Sequence, residues 1–397
     1  LIFPGIAASV AAVLEQGEAM QSHKLVRDPD GMKPMRFTDG GRRQTVTAGW
    51  YRGEHCNFGP TLTHLENWQG YGDYFLKGHL PEEPFITPDT RITAFGSCFA
   101  VNIGNWLSKR NFRILNKDTA SKAYIVQMGE GFVTSYSILQ QFQWAFEGKT
   151  PKVDLWHGYD AQAFGYDETV RQETLRLLNE TDCFILTFGL SEVWYDRPTG
   201  EVFWRAIPIE QFDPDRHGFR VVSPEENYLN IKAIVDLIAR YRPDAKILMT
   251  LSPIPLVATF RPVSCMSANS ISKASLRIAI DRLLPEGSLD GRAFYWPSYE
   301  IVMDGFLRKW EPDRRHVKRP ILDFIMTLFE KAWCKDGVSD ANLSNALLRA
   351  KVADGSVRTS TYKRLNEMTP SERRDFAHLL TLKKRPRLAE TVLAAYD

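Results

Sequence analysis

The stretch that decides the fold is Arg91–Arg110, RITAFGSCFAVNIGNWLSKR. A short apolar run, Ile92–Phe95, breaks at Gly96-Ser97-Cys98 and resumes as an amphipathic pattern from Phe99 to Arg110. A strand that turns sharply into a helix leaves its corner side chain in the open. The corner lies at the positive end of the helix, where free N–H groups stabilise negative charge. Cys98 occupies it. Placement at a helix N-terminus lowers the pKa of a thiol and populates the thiolate, which is the attacking form. The competing reading is a packing cysteine in a structural turn.

Working outward, the same alternation continues. Strands are expected at Ile92–Phe95, Cys183–Phe188, Lys246–Leu251 and Ala293–Trp296. Helical patterns fall near Phe99–Arg110, Ser135–Phe146, Thr169–Asn179, Glu226–Tyr241 and Ser272–Leu284. Short apolar strands alternating with helices imply an α/β fold, a parallel sheet with helices on both faces. Ligands of such sheets sit beyond the carboxyl ends of the strands. Cys98 follows the first strand, Gly189–Glu192 the second and Ser252–Pro255 the third. After the last strand comes EPDRRHVKRP, residues 311–320, in which Asp313 stands three residues before His316. At that spacing the carboxylate reaches the ring, holds one nitrogen and leaves the other free to take a proton, as in acyl-transfer triads. A charged surface loop is the plainer alternative.

These blocks, in this order, resemble the GSCFA-domain family, a branch similar to the SGNH/GDSL hydrolase superfamily. The resemblance is carried by FGSCFA (Phe95–Ala100), FILTFGLSEVWYD (Phe184–Asp196), TLSPIPLVATFRP (Thr250–Pro262), YWPSYEIVMDG (Tyr295–Gly305) and the Asp313–His316 pair, and it covers roughly residues 55–330. It implies a three-layer, flavodoxin-like core and an esterase or acyltransferase activity. Cys98 stands where the superfamily has its serine nucleophile, and Ser97 where it has the preceding acid. His316 and Asp313 then complete the triad. Ser191 replaces the superfamily's asparagine and, with the Cys98 N–H, would bind the oxyanion; Gly131 is a further backbone donor candidate, beside Gly129. Sulfur in place of oxygen implies an acyl-thioester intermediate. The aromatic residues and the superfamily's habits point to a carbohydrate ester or polysaccharide precursor as substrate. A non-catalytic carbohydrate-binding or scaffolding protein on the same fold is the alternative.

Two more residues are ambiguous by type and position. Glu192 either contacts substrate hydroxyls or pairs with an arginine. Arg261 either binds an acidic group or ties down its own loop.

Composition narrows the classes. The 397 residues carry 50 Lys+Arg against 48 Asp+Glu, a formal charge of +2, which makes no case for nucleic acid or a charged membrane surface. The five cysteines, Cys56, Cys98, Cys183, Cys265 and Cys334, are scattered and form no C-x-x-C pair. That argues against a disulfide framework or a zinc site and for a reducing, cytoplasmic compartment. His157 and His217 have no ligand-spaced neighbours, and no metal or other cofactor is expected. No run approaches the ~18 apolar residues of a membrane span. The opening LIFPGIAASVAAVLEQGEAM has no basic n-region; either Met20 is a start or the segment is a small helix.

The chain therefore divides into an N-terminal extension over 1–54, the main domain over 55–334 and a helical extension over 335–397. Residues 24–90 read as an irregular wrap whose aromatics, Trp50, Tyr51, Trp68, Tyr71, Tyr74 and Phe75, either pack on the core or line a sugar groove. Lys383, Lys384, Arg385 and Arg387 form a basic cluster near the end, read as a solvated face.

Overall fold

In a computed structural model the described residues are 34–39, 42–47, 57, 59–118, 120–285, 288–356, 369–382 and 389. The opening segment, Trp50, Tyr51, Cys56 and the basic cluster at 383–387 lie outside them. The chain falls into two compact units, residues 1–59 and 60–397. In the first, β1 (Pro34–Asp39) and β2 (Arg42–Thr47) pair as an antiparallel hairpin. This part of the expected irregular wrap is therefore regular structure.

The second unit is built on a sheet. β3 (Ile92–Gly96), β4 (Cys183–Phe188), β7 (Lys246–Leu251) and β9 (Ala293–Tyr295) lie side by side and parallel. The two-residue β8 (Ser288–Leu289) pairs antiparallel to β9 at the edge. A separate hairpin of β5 (Glu192–Asp196) and β6 (His217–Val221) follows β4. The four expected strands are all present, with ends moved by at most one residue.

Every residue of β3 and β4 is buried, as strands covered on both faces require. Phe95, Phe184, Leu186, Phe188, Ile247 and Met249 enter one core, and Ile92, Ala94, Cys183, Ile185 and Leu248 another. The first core is closed by α2 (Ser135–Glu147), α4 (Pro224–Tyr241) and α5 (Cys265–Leu283). The second is closed by α1 (Cys98–Ser108), α6 (Ser298–Gly305), α7 (Arg319–Trp333) and α8 (Asp340–Asp354). The remaining long helices are α3 (Glu168–Glu180) and α9 (Pro370–Leu382). Leu343, Ala346, Leu347 and Ala350 of α8 share a core with α1, so the helical region expected after residue 335 begins inside the same packing unit. Tyr71 and Phe75 are also core residues, which resolves those two aromatics in favour of packing.

Local signals explain the boundaries. Capping boxes start α2 at Thr134 with Ser137, and α4 at Ser223 with Glu226 and Pro224. On α1, Phe99, Ile103 and Leu107 recur at four-residue spacing and are buried, each contributing about 1.5–3 kcal/mol. Beyond β3, Ile114 makes a single parallel bridge to Ile92. The Asn116 side chain then receives the Ala94 N–H at 3.0 Å and donates to the Ala94 carbonyl at 2.7 Å, as a neighbouring strand would.

The turn from β3 into α1 depends on Gly96. Its φ is +130°, and a Cβ there would lie 2.2 Å from the Thr187 carbonyl oxygen of the adjacent strand. Gly96→Ala is expected to destabilise the fold by about 2–4 kcal/mol, read by chemical denaturation, because neither backbone can yield.

Candidate active site

The corner forms as its sequence implies. Ser97 is the N-cap of α1, its hydroxyl accepting the Phe99 N–H at 3.2 Å, and Cys98 is the first helical residue. The half-buried thiol stands beyond the carboxyl end of β3. The charges of Arg315 and Lys273 reach it and favour the thiolate, as does its own N–H, whereas Glu130 opposes. Burial is the largest effect, and it pushes the Cys98 thiol above the ordinary cysteine range. The expected lowering by the helix terminus is thus outweighed by desolvation.

The Asp313–His316 pair is made. Asp313 Oδ2 lies 2.5 Å from His316 Nδ1, while Oδ1 accepts the backbone N–H groups of Arg315 at 2.9 Å and His316 at 3.0 Å. The Arg315 N–H, the ring and the His316 N–H together hold the Asp313 carboxyl down at about 2, so it is ionised throughout the neutral range. Both side chains are exposed, and no hydrogen bond joins the Cys98 thiol to the His316 ring. Arg319, three residues past His316, lines one cavity with Asn102, one turn along α1 from Cys98, and the charge of Arg315 within the pair acts on the thiol.

Ser191 is placed differently from expectation. It is fully buried, its hydroxyl donating to the Ser272 carbonyl at 2.9 Å and accepting from Asn227 Nδ2 at 3.1 Å, while its N–H donates to Ser272 Oγ at 2.7 Å. Its single hydroxyl proton is committed and does not serve an oxyanion. The Gly131 N–H is likewise engaged, donating to the Met128 carbonyl at 2.7 Å. Of the candidate donors, the N–H groups of Cys98 and Gly129 are the two without a backbone acceptor.

The two ambiguous residues find each other. Glu192, buried at the start of β5, accepts from Thr259 Oγ1 at 2.7 Å and faces Arg261 across 3.6 Å. Arg261 therefore anchors its own loop to Glu192. Cys183 is fully buried, whereas Cys265 is half-buried at the start of α5. Among the described residues no three His, Cys, Asp or Glu side chains come together as a metal site. No helix among them is long and apolar enough to cross a membrane.

Sequence reasoning missed Lys273. This α5 residue is 2% exposed, and its Nζ donates to the carbonyls of Gly189 (2.8 Å), Ser252 (2.7 Å) and Ile254 (2.6 Å). Burial pushes the ammonium down to about 7, opposed by the Cys98 charge. The three carbonyls favour the protonated form. Glu130 and Tyr159 complete the surroundings; Tyr159 feels the charges of Glu130, Arg205 and Cys98. A lysine within an amphipathic helix carries no mark of such a place.

The GSCFA family model matches residues 91–329, well over half of the 397 residues. The chain belongs to the GSCFA family. None of the curated proteins compared with it matches.

Two outcomes follow from this geometry. Alkylation of Cys98 by iodoacetamide, followed by peptide mass mapping, should keep accelerating with pH beyond the ~8.5 at which an ordinary cysteine is half ionised. Ser191→Ala should cost about 1–3 kcal/mol in denaturation by orphaning buried partners, and lower any turnover by less than about tenfold.

Proposed function

We propose that the protein is an SGNH-like esterase or acyltransferase that uses Cys98 as its nucleophile. The observation carrying this reading is that the loop bearing the hydrogen-bonded Asp313–His316 pair runs into α7 at Arg319, which lines one cavity with Asn102, one turn along α1 from Cys98. The strand arrangement supports the fold part of the proposal. The bridge at Ile114, outside β3, lies where a flavodoxin-like 2-1-3-4-5 sheet carries its second strand, with β3, β4, β7 and β9 as the other four.

A thiol held neutral at rest needs a base at the moment of attack. With substrate bound, His316 Nε2 takes the Cys98 proton as sulfur adds to the acyl carbon, and Asp313 stabilises the imidazolium. The Cys98 N–H stabilises the oxyanion. Collapse breaks the ester bond, and the leaving alkoxide takes the proton from His316. Water or an acceptor hydroxyl then attacks the thioester, delivering its proton to His316, and sulfur leaves as thiolate to recover that proton. The substrate we assign is a carbohydrate ester or polysaccharide precursor.

The test is intact-mass spectrometry after brief incubation with activated acyl esters and thioesters. A single adduct on Cys98, absent in Cys98→Ala and formed at least about 100-fold more slowly in His316→Ala, is the expected result. No acyl adduct on Cys98 from any ester or thioester of the panel would overturn it in favour of a carbohydrate-binding or scaffolding protein.

A further inference from the structure

The arginines around the sheet edge divide into two groups. Arg216, Arg220, Arg261 and Arg277 each face a carboxylate, those of Asp196, Glu226, Glu192 and Glu300. Arg205 and Arg315 make no ion pair among the described residues, yet each holds a guanidinium nitrogen, Nη1 of Arg205 and Nε of Arg315, buried without a hydrogen-bond partner. A buried N–H without an acceptor is costly; Nη1 of Arg261 is another, but that guanidinium faces Glu192, whereas those of Arg205 and Arg315 have no carboxylate to face. Arg205 is oriented by stacking, its Cζ 4.0 Å from the centre of the Tyr159 ring. Arg315 is oriented by its backbone, whose N–H is held by Asp313 at 2.9 Å. Both lead to the same place. Arg319, four residues past Arg315, lines one cavity with Asn102, one turn along α1 from Cys98. Trp204, which precedes Arg205, packs its ring on Phe132 at 4.8 Å, three residues past Gly129, whose carbonyl accepts the Gly96 N–H at 2.9 Å. The charge of Arg315 accordingly acts on Cys98, and Tyr159 feels both Arg205 and Cys98. Glu130, the carboxylate nearby, is exposed and bonds to neither guanidinium.

We propose that Arg205 and Arg315 are an anion-recognising pair flanking Cys98, and that the substrate handled there carries a carboxylate or phosphate group. A guanidinium presents a planar fork of donors that fits either oxyanion, and a partly desolvated fork favours it more strongly than an exposed one. The proposal rests on Cys98 being the reacting group. It narrows the carbohydrate reading to sugars bearing an acidic substituent.

Two small alkylating agents of opposite character test it on the full chain. Iodoacetate and iodoacetamide both need the thiolate and both lose iodide to it, so the ratio of their rates at Cys98 cancels the thiolate population and reports preference for an anion. The native ratio should exceed that of an unstructured cysteine peptide by about threefold or more, and Arg205→Gln and Arg315→Gln should each lower it by about threefold or more. Inorganic phosphate or acetate should slow the native reaction, and the better protector identifies the anion class. A native ratio equal to the peptide's overturns the proposal, whatever the variants do. So does a raised ratio that neither variant lowers. Alkylation involves no acyl transfer, so a chain that forms no acyl adduct still reveals whether the arginine pair reads an anion.

Discussion

The edge of the central sheet is held by one ammonium group. Parallel strands diverge beyond their last ladder bonds, and their carbonyls there have no partners of their own. Lys273 reaches from α5 to the Gly189 carbonyl beyond β4 and to the Ser252 and Ile254 carbonyls beyond β7. Its neighbour Ser272 takes both the N–H and the hydroxyl of Ser191, so two consecutive helical residues fix the turn that leads into Glu192. Burying a lysine is unfavourable unless its protons are satisfied, and here all three are. The same charge lies close enough to Cys98 to favour its thiolate.

The site that results differs from one in which sulfur and imidazole form a standing ion pair. Cys98 is half-buried and kept neutral by that burial against two cations, while Asp313 orients His316 in the open loop. Under the function proposed above, reaction at this sulfur would depend on what a bound substrate brings, namely closer approach of the ring and exclusion of water. Selectivity would then be coupled to reactivity, since a ligand that does not engage the surrounding charges leaves the thiol unionised.

Much of the sheet was legible because its signals are local. β4 and β7 occupy the residues that their apolar runs mark, and the Gly96-Ser97-Cys98 corner is where a glycine, an N-cap hydroxyl and a new helical period coincide. The Asp313–His316 contact was likewise readable from spacing. The oxyanion assignment was not, because a serine hydroxyl in a motif position shows nothing of the Ser272 carbonyl that takes its proton from 81 residues away. Lys273 was invisible for the same reason, since its partners lie on two other segments. The pairing of 34–39 with 42–47 was obscured because its strands mix Arg, Gln and Thr with few apolar residues, so period-two alternation is weak.

Asn116 has a consequence beyond the position of β3. An outer parallel strand offers a row of free N–H and C=O groups to any other extended chain, and long unprotected edges recruit copies of themselves. Here the carboxamide of a single side chain occupies both backbone groups of Ala94, next to a bridge of one residue at Ile114. The sheet ends on this side without a full further strand and still presents little to template on. Asn116 is in effect a guard against edge-to-edge polymerisation, set against the strand that leads into the Gly96-Ser97-Cys98 corner.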